Sequence, residues 1–151
     1  MIKNLAPSCV VMGSVEDCVN KDDEGIPPRV KPKITAAPRA RQMYWCDFWP
    51  AKQARLPEFY KTRPVVVLSH SNKLSGHCLV IPVSSAPQSD NRWSVKLSIS
   101  LDGRESWAVC NHIYTVSTSR LHKHQGKIPK LSEVEFGELL KRVMACLPKP
   151  R

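Results

Sequence analysis

The chain has no Cys-x-x-Cys pair, no histidine pair at finger spacing, no internal repeat and no run near the roughly 20 apolar residues that a bilayer span requires. Its six cysteines are scattered at positions 9, 18, 46, 78, 110 and 146, which leaves no zinc set and no metal site to expect. Cys46, Cys78 and Cys110 fall in strand-like runs and read as buried thiols of a reducing compartment, with disulfides the lesser alternative. Acidic residues are also scarce, 13 against 23 Lys and Arg, for a net charge of +10. The apolar patch at 5–12 is broken by Pro7 and Ser8, and Asp22, Asp23 and Glu24 follow with no small-residue cleavage site between. That pattern argues against a signal peptide, and the expectation is a cytoplasmic protein without membrane contact.

Charge and proline divide what is present. Residues 1–41 carry 7 basic and 5 acidic side chains, while residues 42–151 carry 16 and 8. The positive excess therefore belongs to the folded part, where it attracts polyanions such as nucleic acid or an acidic protein, or simply keeps the surface soluble. Residues 21–41 hold four prolines, many charges and almost no apolar periodicity, so they bury too little surface to offset their ordering entropy. Residues 1–41 are thus expected to be a disordered, Pro-rich extension, or a stretch that owes its place in the sequence to a start codon assigned too early. Residues 42–151 then form one domain.

Within that domain the aromatic run Met43 to Trp49 suits a first strand, and Pro50 ends it. Residues 51–62 have no period and read as a long functional loop. Strands are expected over 63–69, where Val65, Val66 and Val67 suit a central position, and over 77–84, 93–98 and 107–112. Asp102-Gly103 marks a turn, and Ser119-Arg120-Leu121 a helical turn. Ser132-Glu133-Val134-Glu135 is a capping box, after which Phe136, Leu139, Leu140, Val143 and Leu147 recur at helical spacing until Pro148. Short strands with one terminal helix predict a mainly β fold, a small antiparallel SH3-like barrel whose closure would remove exposed edges.

Several blocks in order resemble the MazF/PemK toxin family: Tyr44-Trp45-Cys46-Asp47-Phe48 with Pro50, Thr62-Arg63-Pro64-Val65-Val66-Val67-Leu68-Ser69, Ile81-Pro82-Val83-Ser84-Ser85, Leu101-Asp102-Gly103-Arg104-Glu105-Ser106, and Thr115-Val116 to Ser119-Arg120-Leu121. The resemblance implies a CcdB/PemK-type barrel, a homodimer and a toxin that halts growth by cutting single-stranded RNA. It also implies that the cut needs no metal or cofactor, uses the RNA's own 2′-hydroxyl, and is held in check by an acidic antitoxin lying in the RNA groove.

Such a cleavage needs a base for the 2′-hydroxyl proton, a cation for the growing phosphoryl charge and donors that fix geometry. Arg63 offers a planar fork that matches two phosphate oxygens, unless it serves as a capping ion pair. Ser84 and Ser85 stand where the family has Thr-Ser, so the Ser84 hydroxyl at the end of the third strand is a catalytic candidate that hydrogen-bonds the scissile phosphate and Ser85 a substrate ligand, though strand-end serines are often plain turn residues. Glu58 precedes Arg63 by five positions and is placed to orient it or to bind a base; an idle surface glutamate is the alternative. At Asn111-His112 many relatives carry a carboxylate and Gln, so His112 is the candidate proton carrier and Asn111 an RNA ligand, against a structural histidine. Tyr114 is a stacking candidate or a core residue. Lys61, with Lys52, Arg55, Lys123 and Lys127, suits phosphate contact. The missing carboxylate leaves a second reading open: a non-catalytic binder on the same scaffold, like the gyrase-poisoning relatives of this fold, or a degenerate toxin that only binds.

Overall fold

Alternation along the central strands sends side chains to two separate cores. In the computed structural model, which describes residues 25–150, Val65 and Val67 point into one cluster with Tyr44, Cys46, Phe48, Cys78, Val80 and Leu121. Their neighbour Val66 points the other way, into a second cluster with Met43, Ile81, Val83, Phe136, Leu139 and Val143. A strand buried on both faces has no polar alternation, which is why residues 65–67 form a continuous β-branched run.

The elements are β1 (Met43–Asp47), β2 (Thr62–Val67), β3 (His77–Ser84), β4 (Ser94–Leu101), β5 (Arg104–Val109), β6 (Tyr114–Ser117), a 3-10 turn (Thr118–Arg120), β7 (Leu121–His122) and α1 (Glu133–Ala145). One seven-stranded antiparallel sheet runs in the order β4-β5-β3-β2-β1-β7, with β6 also on β3. β3 is the strand where the sheet divides: its first half, His77 to Val80, pairs with β6, and its end, Val83 and Ser84, pairs with β5. The β4–β5 hairpin turns at Asp102 (φ 54°) and Gly103 (φ 70°), both left-handed as a tight two-residue connection needs.

The closed barrel expected from the sequence is not formed, because the sheet stays open. β6 and β7 are joined through the 3-10 turn and share no ladder, since β7 has only two residues and both pair with β1. The turn is held instead by the buried Thr118, whose Oγ1 donates to the Leu74 carbonyl at 2.7 Å.

Packing begins before residue 42. Ile34 is 4% exposed within the Tyr44 cluster, Lys33 pairs with Asp47 at 3.0 Å, and Arg41 donates to the Leu131 carbonyl at 3.0 Å. The part of the expected extension at residues 1–24 lies outside the described residues. At the other end Ser132 caps α1 by accepting from Glu135 N–H at 3.1 Å. The Glu135 carboxylate takes the Ser132 hydroxyl and also Ser98 N–H of β4 (2.6 Å), so the capping box ties helix to sheet. Burial raises the Glu135 pKa, and these hydrogen bonds outweigh it and hold the carboxyl below its ordinary range.

Cys46, Cys78 and Cys110 are buried free thiols, which burial pushes up to about 12, 11 and 12 respectively. Such thiols are inert at neutral pH. Cys9 and Cys18 lie outside the described residues. Among the described residues, no helix is long and apolar enough to cross a membrane.

Candidate functional site

Arg63, the second residue of β2, pairs with Cys46 of β1, is half-buried, and lines a hollow of about 330 Å³. Trp45, Ser85, Asp102, Arg104 and Ser106 share its walls. Arg63 Nε donates to the Tyr60 carbonyl at 3.3 Å, and its guanidinium lies 5.9 Å from the Tyr60 ring centroid. Its fork has no carboxylate partner among the described residues, so it is not a capping ion pair. Arg104 and the hydroxyl residues Thr62, Ser85 and Ser106 line the same concavity, together with the Asp102 carboxylate, and the guanidinium and hydroxyl donors suit an oxyanion of phosphorus.

The two serines separate. Ser84 is 7% exposed, and its hydroxyl accepts from Ala86 N–H at 3.2 Å in a local turn. Ser84 Oγ is thus engaged in its own turn, and Ser85 is the exposed one of the pair and lines the hollow.

His112 is not a wall of the hollow. It follows β5 in a turn with the exposed Asn111, its N–H donating to the Val109 carbonyl at 3.1 Å. The Phe59 ring meets it edge-on at 5.0 Å, and Tyr114 lies 6.3 Å away. Burial lowers the His112 pKa, so the ring is neutral at pH 7 and able to accept a proton. Phe59 N–H donates to the Tyr114 hydroxyl at 3.0 Å, while the next residue, Tyr60, holds Arg63. Residues 59–60 thus connect the His112–Tyr114 pair to the arginine. Tyr114 also packs edge-on against Phe48 at 5.1 Å, so one side chain joins the core packing to the hydroxyl that accepts from Phe59.

Glu58 turns back on its own loop, its carboxylate accepting from Arg55 N–H at 2.8 Å, and does not touch Arg63. Lys61 takes left-handed backbone (φ 64°) with its ammonium 5.3 Å from the Tyr60 ring centroid. Tyr60 thus carries two cations, a role not read from the sequence although the Phe59-Tyr60-Lys61-Thr62-Arg63 order placed it beside both.

A second histidine was also missed. His124 Nε2 is 2.9 Å from Asp102 Oδ1 and its ring stacks on Trp45 at 5.1 Å. Both partners are walls of the Arg63 hollow, so the ring stands at its rim. The Trp45 indole N–H is buried with no partner among the described residues, an uncommon condition for a buried donor. No sequence signal linked positions 45, 102 and 124, which three separate strands and loops bring together. Among the described residues, no group of three or more His, Cys, Asp or Glu side chains is arranged to hold a metal ion.

The family described as PemK-like, MazF-like toxin of type II toxin-antitoxin system matches residues 39–147. No curated protein matches the chain. Among solved structures, a MazF from Deinococcus radiodurans is 20% identical, with a TM-score of 0.59 over 74% of this chain and 96% of that one. A MazE-MazF complex from the same organism is 18% identical, with a TM-score of 0.55 over 74% and 95%. An endoribonuclease in complex with its cognate antitoxin, from a Mycobacterial species, is 18% identical, with a TM-score of 0.54 over 76% and 100%. At these identities the likeness establishes a shared fold.

Proposed function

This chain belongs to the PemK-like, MazF-like toxins of type II toxin-antitoxin systems, and from that premise we propose that it is an endoribonuclease cutting single-stranded RNA at short sequences without a metal ion. The observation that carries the reading is the hollow holding Arg63, Arg104 and Ser85 together. Arg63 grips two phosphoryl oxygens and Ser85 donates to a third position. His112, outside the hollow but joined to Arg63 through Phe59 and Tyr60, takes the 2′-hydroxyl proton as the O2′–P bond forms. The P–O5′ bond breaks, and the 5′-oxygen leaves with a proton from His124, whose ring Asp102 orients. The products are a 2′,3′-cyclic phosphate and a 5′-hydroxyl, with proton transfer at each end as general acid–base catalysis requires. Asn111, Tyr114 and Lys61 bind the flanking nucleotides, and Glu58 shapes the loop that presents Tyr60.

An acidic antitoxin is the partner that the positive charge favours, and among the similar structures are an endoribonuclease with its cognate antitoxin and a MazE-MazF complex. We assign the protein to the cytoplasm as a homodimer, the arrangement that its family implies.

Mixed-sequence RNA incubated with the protein in chelator tests the reading. Fragments ending in 2′,3′-cyclic phosphate that vanish with Arg63→Ala support it. Asn111, standing where relatives carry a carboxylate, favours one alternative, a non-catalytic binder. RNA that is bound but left whole by the wild type would establish that alternative.

A further inference from the structure

Residues 27–33 cross the surface of the domain ahead of the segment that matches the family, and between them and the 3-10 turn lies a groove of about 1080 Å³. Pro27, Pro28 and Pro32 fix the backbone of this strap, so little entropy remains to be lost when it is held in place. Two anchors pin its end: Ile34 is buried in the Tyr44 cluster, and Lys33 pairs with Asp47. Arg29 and Lys31 line the groove, and among the described residues neither has a carboxylate within ion-pair distance.

The groove reaches the Arg63 hollow. Asp47 lines the groove and Thr62 lines the hollow, and the Thr62 hydroxyl donates to Asp47 Oδ1 at 2.8 Å. One hydrogen-bonded pair is therefore the boundary between the two concavities. Arg120, another wall of the groove, places its guanidinium 4.8 Å from the Trp49 ring centroid, and that ring is 47% exposed. Two cations in the groove and, past Arg120 at its wall, the half-exposed Trp49 ring are parts of a surface that tracks a single-stranded nucleic acid.

We propose that this strap groove is an added RNA-binding site, in which Arg29 and Lys31 neutralise phosphates to one side of the scissile bond and Trp49 stacks a base. The inference rests on the ribonuclease reading. An acidic peptide would meet the same two cations, and a base stacked on Trp49 is what would set RNA apart from it.

The test uses the full chain and a single-stranded RNA of about 12 nucleotides, made uncleavable by 2′-O-methyl groups, with its Kd measured by fluorescence anisotropy over a salt series. Each phosphate neutralised on a single strand contributes about 0.7 to the slope of log K against log salt. The double variant Arg29→Gln/Lys31→Gln is expected to lower that slope by about 1.4 while its cleavage of a trinucleotide stays at the wild-type rate. Trp49→Ala should weaken binding of the longer RNA with the slope unchanged. A double variant with wild-type slope and Kd overturns the inference, while Arg63→Ala losing cleavage in the same experiments leaves the ribonuclease reading in place. Weakened binding of an acidic peptide with unchanged RNA binding also overturns it, in favour of a protein ligand. A wild type that neither binds nor cuts RNA removes both.

Discussion

Ser84 and Ser85 are adjacent in the chain, yet the turn after β3 buries the first hydroxyl against Ala86 and leaves the second beside Arg63. Ser85→Ala should therefore lower the cleavage rate, whereas Ser84→Ala should keep it and cost about 1 kcal/mol of stability through a lost internal hydrogen bond. Rates and urea unfolding of the two variants check this. His112 makes a second residue-level prediction. Burial depresses its folded pKa, so the unfolded chain binds more protons between that value and the ordinary 6.5 or so. Stability due to the neutral ring is complete above the unfolded pKa and is lost as pH falls from there through the folded one. His112→Gln should flatten the stability profile as pH falls below the ordinary histidine value of about 6.5, and an unchanged slope would contradict the burial argument. Arg63 was legible because one block of residues marked it. His124 was not, because its significance comes from Trp45 and Asp102, far away in the chain.

The helix shows how far local pattern reaches at the scale of an element. The sequence Ser132-Glu133-Val134-Glu135 predicts the cap, and Ser132 performs it. Ser132→Ala should cost about 1 kcal/mol, read as a shifted unfolding midpoint. The bond from Ser98 to Glu135 was invisible in the sequence, since register between β4 and α1 is a tertiary property. It makes Glu135 a tie between layers, with a folded pKa held down by its donors. That contribution is present above the unfolded carboxyl pKa of about 4.3 and disappears as pH falls through the depressed folded value. Glu135→Gln should accordingly destabilise the protein at pH 7 and converge with the wild type in acid. The strands were readable where both faces are buried, as at Val65, Val66 and Val67. Their ends were not: β5 stops at Val109, so Asn111 and His112 stand in a turn. Sequence alternation there did not register the turn at Cys110.

Across the whole molecule, five of the seven strands and the terminal helix followed from pattern, while the short β6 and β7 and the open sheet did not. A barrel was expected because edges are costly, but the two-residue β7 cannot carry a second ladder, and the 3-10 turn spans the gap instead. Packing also starts before the composition suggested, at Lys33 and Ile34, because one isoleucine and one ion pair suffice to hold a proline-stiffened strap. These additions leave the hollow between β1, β2 and the β4–β5 hairpin as the point where the charge of the molecule is put to use. Its role is tested most directly by single-turnover cleavage of one defined RNA in chelator, comparing wild type with Arg63→Ala. Loss of the phosphate fork predicts a rate lower by roughly 100- to 1000-fold, or about 3 to 4 kcal/mol of transition-state stabilisation. Equal rates for the two proteins would contradict the account.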